Sequence, residues 1–362
     1  MKTCLLALML SMLVVACGND NAAQQATNAH NQQTYKWKLV TSWPKNFPGL
    51  GTAPERFAEQ VNVMSGGRLQ IKVYGANQLV PAMQVFDSVS AGTVEMGHSG
   101  SYYWKGKVPA AQFFCAVPFG MTAQEMSSWL HYGGGMALWQ ELYAPFNLVP
   151  LAGGSAGVQM GGWFNKEINS VDDLNGLKMR LPGLGGEVLS RLGGVPVSLP
   201  GGEIFTSLQT GAIDATEWVG PYNDLAFGLH EAAKYYYYPG WHEPGSTMEF
   251  IVNQEALSAL PDDLQAIVRN AARAASQDMI DEYTFRNIAA LEKIQALEGV
   301  TIKRFPDSVL AALQQTSEAL LAEQAAADPE MDKVYQSFLQ FRAGVTRYHN
   351  LTERAYLNLR AD

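Results

Sequence analysis

The chain has 362 residues, 47% of them hydrophobic, and its 34 acidic and 25 basic residues give a formal net charge of −9. This length is sufficient for two lobes around separate hydrophobic cores. The basic residues are scattered and form no stripe, which argues against nucleic acid as a partner.

The N-terminus predicts export. Residues 5–16 form the apolar run LLALMLSMLVVA, which is shorter than the ~20 residues that span a bilayer and is typical of a secretory signal. The run ends in VVAC, which resembles a bacterial lipobox, so we expect cleavage before Cys17 and lipid on its thiol. Residues 1–16 would be the signal peptide, and the polar residues 17–34 a lipidated tether. The alternative is an ordinary signal peptide in which Cys17 is incidental.

After cleavage and lipidation, Cys115 would be the remaining free cysteine. A single thiol allows neither an internal disulfide framework nor a cysteine-based zinc cluster. Because it lies in the apolar run FFCAV, we predict a buried, inert thiol. No second segment of the sequence is long and apolar enough to cross a membrane.

Residues 35–158 alternate strand and helix patterns, which predicts a first α/β lobe. Its predicted strands cover 35–43, 69–74, 96–100 and 148–152, and its predicted helices cover 52–65, 81–90 and 123–142.

Residues 159–246 repeat this alternation and predict a second α/β lobe. Its predicted strands cover 160–164, 177–181, 195–199, 213–218 and the four tyrosines 235–238, and its predicted helices cover 186–192, 204–210 and 222–234.

The remainder of the chain is mostly helical. We predict that residues 247–328 return to the first lobe and provide the connecting helices, beginning with a strand at 247–253. Further elements are predicted at 261–297 (helix), 300–305 (strand), 307–327 (helix) and 329–359 (helix). Proline followed by two acids is typical of a first helical turn and supports the start at Pro261.

The C-terminal segment 329–362 carries an apolar stripe with 4-3-4-3 spacing. The stripe consists of Val334, Phe338, Phe341, Val345 and Tyr348. Such a stripe either packs on the core of its own chain or forms a dimer seam, and the spacing leaves both open.

The segment from Asp214 to Glu243 is the most informative part of the chain. It sets Glu217 beside Trp218, turns at a Gly-Pro pair and runs through four tyrosines into PGWHEPG. Large exposed apolar patches usually mark binding sites, and small-molecule sites combine apolar surfaces with a few convergent polar groups. We therefore predict a ligand pocket here.

Arg180 is the first candidate ligand residue, because it lies near the end of a strand in LKMRLPG. A buried arginine is rarely unpaired, and its planar fork matches a carboxylate. Ligands of α/β folds bind at the ends of strands. The alternative is structural pairing with Asp172 or Asp173.

Gln159 and Glu217 are candidate metal ligands. Each lies near a boundary of the second lobe, beside glycine or tryptophan rather than in a charged run. Amide, carboxylate and carbonyl oxygens suit Na⁺, Ca²⁺ or Mg²⁺. The alternative is a solvated glutamate and a glutamine satisfied by the backbone.

Two other motifs compete with this interpretation. Residues 153–157 read GGSAG, a G-x-S-x-G pattern after a strand, and Asp214 and His230 follow in the order of a catalytic triad around Ser155. A nucleophile elbow needs a helix directly after the serine, whereas glycine-rich, strand-like sequence follows here. His242 with its following glutamate lacks the second histidine of a helical zinc motif, so the motif implies no zinc site.

From Tyr35 onward the chain resembles the solute-binding proteins of tripartite ATP-independent periplasmic (TRAP) transporters. The general motifs are LNGLKMRLPG and EIFTSLQTGAIDATEW. The narrower motifs GVQMGGWF, EWVGPYND and YYYYPGWHEPG resemble the subgroup that binds 2-oxo acids and other small monocarboxylates. The resemblance implies an α/β, two-lobed periplasmic binding protein fold with a hinge, crossing strands, a long connecting helix and a C-terminal helical extension.

The resemblance also implies roles for individual residues. Arg180 would hold the ligand carboxylate. Gln159 through its side chain, Glu217 through its carboxylate and Trp218 through its backbone carbonyl would coordinate a metal cation, Na⁺ or Ca²⁺, completed by oxygens of the substrate.

Further contacts follow from the same resemblance. Tyr102 or Tyr103 would hydrogen-bond from the first lobe, Trp218 and Tyr222 would line the pocket, and Glu243 would add a contact. Members of the subgroup form dimers by exchanging a C-terminal helix, which favours the stripe as a dimer seam.

We therefore predict a periplasmic, lipid-anchored receptor without enzymatic activity. It would bind a small 2-oxo or 2-hydroxy monocarboxylate together with a cation and deliver it to TRAP permease subunits. The alternatives are a secreted serine hydrolase that uses Ser155 and a sensory receptor with the same pocket.

Overall fold

The computed structural model describes residues 33–360. The predicted signal peptide and Cys17 lie outside the described residues. Within residues 33–360, no helix combines the length and the apolar character that crossing a membrane requires.

The described part of the chain contains two β-sheets. Its strands are β1 (Tyr35–Thr41), β2 (Leu69–Tyr74), β3 (Met96–Ser99), β4 (Leu148–Ser155), β5 (Gly162–Phe164), β6 (Lys178–Arg180), β7 (Val195–Val197), β8 (Ala215–Thr216), β9 (Tyr235–Tyr238), β10 (Thr247–Asn253) and β11 (Thr301–Arg304). The first sheet has the order β2-β1-β3-β10-β4, and the second has the order β11-β9-β5-β8-β6-β7.

Helices cover the sheets and connect them. They are α1 (Thr52–Met64), α2 (Val85–Ser90), α3 (Ala123–Tyr132), α4 (Gly135–Tyr143), α5 (Gly183–Arg191), α6 (Gly201–Gln209), α7 (Pro221–Ala226), α8 (Leu229–Ala232), α9 (Gln254–Ser258), α10 (Asp262–Gln295), α11 (Asp307–Ala327), α12 (Pro329–Leu351) and α13 (Glu353–Leu359).

Two strands carry the chain across between the sheets. β10 follows the second sheet in sequence, yet it pairs antiparallel with both β3 and β4 in the middle of the first sheet. β11 follows the long helix α10 and pairs parallel with β9 at the edge of the second sheet. These crossings and the 34-residue α10 confirm the predicted two-sheet α/β architecture with crossing strands and a long helix.

Three predicted helices are each divided into two. The break between α3 and α4 falls at Gly134 (φ 88°), and the break between α7 and α8 falls at Gly228 (φ 69°). A glycine adopts this left-handed conformation without steric cost, so it ends a helix where other residues continue it. The third break, at Thr352, separates α12 from α13.

Two helices of the second sheet begin three residues earlier than predicted. α5 begins directly after Pro182 (ψ 172°), and α6 begins directly after Pro200 (ψ 151°). The glycines that follow each proline weaken the apolar periodicity, which is why the sequence pattern placed both starts too late.

The C-terminal stripe divides into two parts. Val334 and Phe338 are buried in a hydrophobic core that also contains Phe113, and the ring of Phe338 lies 5.8 Å from that of Phe113. Tyr348, at the other end of the stripe, is 62% exposed. The first part therefore packs on its own chain, Phe341 and Val345 are half-buried against the same core, and only the end of the stripe at Tyr348 lies open.

Candidate functional site

Arg180 and Glu217 form a buried ion pair in the second sheet. β6 and β8 are parallel neighbours with Arg180 opposite Thr216, and the backbone N–H of Glu217 donates to the Arg180 carbonyl. This register brings the guanidinium Nη1 into hydrogen-bonding contact with Glu217 Oε1. The alternative partner Asp173 instead accepts from the backbone N–H groups of Asn169 and Ser170.

The guanidinium of Arg180 retains donors for a ligand. Its Nε donates to the Leu199 carbonyl at 3.2 Å and its Nη2 donates to the Tyr103 hydroxyl at 3.0 Å. With the bond to Glu217, three of the five N–H groups are used. The guanidinium carbon lies 5.2 Å from the ring centroid of Trp218, so the cation is held between a carboxylate and an aromatic face.

The side-chain amide of Gln159 has hydrogen-bond partners at its nitrogen and none among the described residues at its oxygen. Its Nε2 donates to Glu243 Oε2 at 2.8 Å and to Ser246 Oγ at 2.9 Å. The NH₂ group therefore faces Glu243 and Ser246. The amide oxygen then points away from Glu243 and has no partner among the described residues, although it is buried.

Gly240 explains how Gln159 and Glu243 come together. A Cβ atom at Gly240 would lie 2.2 Å from the Gln159 carbonyl oxygen, so only glycine allows this approach. The two segments are joined by backbone hydrogen bonds from Gly240 to Gln159 and from Gln159 to Glu243.

Glu217, His242 and Glu243 form a buried cluster. One ligand atom from each residue lies within 4.8 Å of the others, and all three are at most 3% exposed. Burial, followed by the charge of Glu217, raises the pKa of Glu243 to about 7. Two carboxylates and an imidazole that lie this close together are suitable donors for a metal cation, so the residues present fit one.

The first lobe contributes two tyrosines to the site. Tyr103 accepts from Arg180, and the rings of Tyr102 and Tyr103 lie 4.6 Å apart in an edge-to-face arrangement. Burial raises the pKa of both hydroxyls, which keeps them neutral and able to donate a hydrogen bond. A Cβ at Gly183 would lie 3.0 Å from Tyr102 Cβ, so the start of α5 packs directly on this tyrosine.

Aromatic side chains from the first lobe complete the surroundings of Trp218. The ring of Trp218 lies 6.1 Å from Trp43 and 6.1 Å from Phe47, and 5.0 Å from Phe227 of its own lobe. The Trp43 indole N–H donates to His98 Nδ1 at 2.9 Å. The sequence analysis missed Trp43 and Phe47, although Trp43 is the last residue of the predicted strand 35–43 and α/β folds place ligands at the ends of strands.

Asp224 holds the loop that carries Glu217 and Trp218. Its carboxylate accepts from the backbone N–H groups of Val219 and Gly220, and also from the side chains of Trp163 (3.0 Å) and Tyr236 (2.7 Å). Burial raises the pKa of Asp224 to about 7. This residue was not predicted, although it lies in the motif EWVGPYND.

Tyr222 lies at the long helix rather than at Arg180. Its hydroxyl donates to Glu282 at 3.2 Å, and its backbone N–H donates to Asn287 at 2.9 Å, both on α10. A role for Tyr222 in lining the pocket stays a prediction.

The residues of the alternative hydrolase have separate partners. Ser155 Oγ donates to the Gly245 carbonyl at 3.1 Å, and Asp214 accepts from the backbone N–H of Lys178 at 2.9 Å. Ser155 ends β4 rather than beginning a helix. A Cβ at Gly154 would lie 2.2 Å from Met279 Sδ, so this glycine permits close packing of β4 on α10.

Comparison with known proteins assigns the chain to a protein family. A family model described as bacterial extracellular solute-binding protein, family 7, matches residues 39–328. The chain belongs to this family. The predicted resemblance is thereby confirmed for most of the chain, and the interpretation as a serine hydrolase receives no support.

Several similar proteins bind small acids. The chain is 44% identical over 345 residues, 95% of its length and 93% of the relative's, to the monocarboxylate 2-oxoacid-binding periplasmic protein of Nostoc sp.. It is 45% identical to the TRAP periplasmic solute binding protein of Colwellia psychrerythraea, solved with calcium and pyruvate; the match covers 90% of this chain and 99% of the other, with a TM-score of 0.88. The corresponding protein of Pseudoalteromonas atlantica, solved with sodium and pyruvate, has the same identity, coverage and TM-score.

The contact between α6 and Trp218 generates a prediction for this solute-binding protein. A Cβ at Gly201 would lie 2.6 Å from Trp218 Cη2. We expect Gly201→Ala to displace the indole and lower the free energy of unfolding by about 1–3 kcal/mol, the usual cost of overpacking. Thermal and denaturant unfolding measure this difference.

Gly202 provides a matched control on the same helix. A Cβ there meets no heavy atom within 4 Å, so Gly202→Ala should be neutral or stabilise the protein by up to about 1 kcal/mol through helix propensity. Equal stability of the two variants would contradict the close packing of Trp218 on α6.

Proposed function

We propose that this solute-binding protein captures a small 2-oxo or 2-hydroxy monocarboxylate together with a metal cation and delivers it to the membrane subunits of a TRAP transporter. The observation that carries the proposal is the buried Arg180, which has unused N–H donors beside Glu217 and the unpartnered oxygen of Gln159. The Nostoc relative and the two pyruvate-bound structures support the same ligand class.

Each residue has a distinct task in this proposal. Arg180 binds the carboxylate of the ligand with two N–H groups. Tyr103 positions the guanidinium and donates its hydroxyl hydrogen to the ligand. Gln159 and Glu217, with the Trp218 carbonyl, hold a cation such as Na⁺ or Ca²⁺. The cation supplies positive charge next to the oxygens of the acid.

The strength of these contacts fits a transport receptor. Hydrogen bonds that involve a charged group contribute roughly 1.5–3 kcal/mol each. Two such bonds from Arg180 and the contacts to a cation give an affinity of about micromolar, roughly −8 kcal/mol. The ligand is held without turnover, because the site presents donors and cation ligands, and Ser155 Oγ donates to the Gly245 carbonyl.

The proposal predicts a ligand response that depends on a cation. After removal of metals by a chelator, pyruvate should raise the melting temperature only when Na⁺ or Ca²⁺ is added, by mass action on the folded state. Arg180→Ala should lose this response, because the ligand carboxylate then lacks its guanidinium partner. The measurement is a thermal-shift titration with pyruvate, longer 2-oxo acids, lactate and a dicarboxylate.

Arg191→Ala is the control for loss of a positive charge. Arg191 lies on α5 in the same lobe and pairs with the exposed Glu323, so this variant should respond to pyruvate like the unmodified protein. Stabilisation by dicarboxylates alone would refute the proposed ligand class. An undiminished response to pyruvate in Arg180→Ala would refute the role of Arg180.

We also propose that the mature protein is anchored in a membrane through lipid on Cys17. Support comes from the VVAC sequence after the apolar run 5–16 and from the polar tether that follows. Expression of the full chain with Cys17→Ser should shift the protein from the membrane fraction to the soluble fraction. An unchanged distribution would contradict the anchor.

We further propose that two copies associate through their C-terminal helices. A groove of about 510 Å³ lies along α12 and is lined by residues that include Gly133, Phe341, Val345 and Tyr348. Leu351 and Leu359, which continue this surface along the chain, are 83% and 84% exposed. An exposed apolar surface next to an apolar groove is suited to a second copy of the same helix.

A charge within the apolar surface should separate the copies. Leu351→Asp is expected to convert a dimer into a monomer in light scattering, because the carboxylate would be buried without a partner. Thr346→Asp, at an exposed polar position of the same helix, should leave the mass unchanged. A monomeric mass for the unmodified protein at micromolar concentration would refute the proposed dimer.

A further inference from the structure

Glu249 is a buried acidic residue to which the proposed function assigns no task. It lies on β10, between β3 and β4 of the first sheet, and its side chain is fully buried. Burial raises the pKa of its carboxyl group to about 8. A buried carboxyl group costs free energy unless hydrogen bonds satisfy it, so the partners of Glu249 indicate its role.

A β-bulge sets the direction of the Glu249 side chain. The register between β10 and β4 shifts between Met248 and Glu249. On the other side of β10, Glu249 lies opposite Ser99 of β3. Bulges change the direction of a side chain and are frequent next to functional sites. The carboxyl group thereby enters the interior of the first lobe, where it meets Trp104 and Tyr143.

Each oxygen of the Glu249 carboxyl group has its own partner. The indole N–H of Trp104 donates to Oε1, and the Tyr143 hydroxyl is hydrogen-bonded to Oε2 at 2.9 Å. Both partners are buried. An indole N–H can only donate, so Trp104 depends on this carboxyl group for the acceptor that a buried donor requires.

Trp104 connects Glu249 to the ligand site. It is the last residue of a 3₁₀ turn, Ser101–Trp104, whose middle residues are the two tyrosines of the site; we call this segment the tyrosine turn. The ring of Trp104 lies 6.1 Å from that of Tyr103, and the Tyr103 hydroxyl accepts from Arg180. A shift of Trp104 would therefore move the hydroxyl that meets the guanidinium.

We propose that Glu249 is a positioning residue of the ligand site, which acts through Trp104 to hold the tyrosine turn where Tyr103 meets Arg180. The other end of the turn is fixed by Ser101, whose hydroxyl donates to the Ala111 carbonyl at 2.7 Å. Both ends are thus anchored inside the first lobe. The inference rests on the proposed function, because it adds a residue to the support of the same site.

The test measures pyruvate affinity and protein stability separately. Calorimetry with saturating Ca²⁺ gives the affinity, and thermal unfolding without ligand gives the stability. Glu249→Leu should lower the affinity for pyruvate by roughly three- to tenfold, about the effect of one net hydrogen bond, because the Trp104 N–H loses its acceptor. Glu249→Gln should retain the affinity of the unmodified protein, since the amide oxygen of glutamine accepts the same bond.

Two matched variants each remove one partner of Glu249. Trp104→Phe and Tyr143→Phe should both lower the melting temperature. Only Trp104→Phe should lower the affinity for pyruvate, because Tyr143 lies on α4 and not in the tyrosine turn. In the Trp104→Phe background, Glu249→Leu should cause no further loss of affinity, since two residues that act as one unit are not additive.

Two results would overturn the inference. One is an unchanged pyruvate affinity in a folded Glu249→Leu variant. The other is an equal loss of affinity in Trp104→Phe and Tyr143→Phe, which would follow from a general loss of stability; this comparison decides if Glu249→Leu does not fold. In both cases the unmodified protein still binds pyruvate, and the proposed function stands. An unmodified protein that binds no acid with any cation would refute both proposals.

Discussion

The buried ion pair between Arg180 and Glu217 is the constraint on which the site depends. Two charges removed from water lose several kcal/mol of solvation each, and one ion pair rarely compensates for this fully. Here the guanidinium also donates to Leu199 and Tyr103 and lies beside the Trp218 ring. The surroundings of the pair therefore supply two further acceptors and an aromatic face for the guanidinium.

The first lobe closes the site through a short loop after β1. Phe47 packs on the aromatic rings of the second lobe, and the Pro48 carbonyl accepts from Asn223 at 2.7 Å. Gly49 has a φ of 66°, and a Cβ there would lie 2.5 Å from the ring of Tyr283 on α10. Glycine at position 49 thus allows the loop, the second lobe and the long helix to pack together. The charges of Arg180 and Glu217 are buried from water.

The local pattern predicted several elements well. β2, β10 and α11 have the predicted bounds. The apolar residues of β2 and α11 recur with a clear period, and β10 is a short, fully buried apolar run. Apart from the break at Thr352, the errors in the helices fall at glycines. Gly134 and Gly228 divide predicted helices, and the glycines after Pro182 and Pro200 conceal the first turns of α5 and α6. Glycine carries no side chain to reveal periodicity, and its conformation follows from packing.

The sequence by itself predicted the α/β fold and the family and singled out Arg180, Gln159 and Glu217 as candidates, because short motifs and periodic burial are local properties of a chain. Only the tertiary structure decided that Arg180 pairs with Glu217, that Trp43 and Phe47 approach from the other lobe and that Tyr222 turns to α10. Only the tertiary structure likewise decided that His242 lies beside Glu217 and Glu243. These contacts join residues far apart in sequence, and their geometry is set by strand register and lobe closure, which no local pattern encodes.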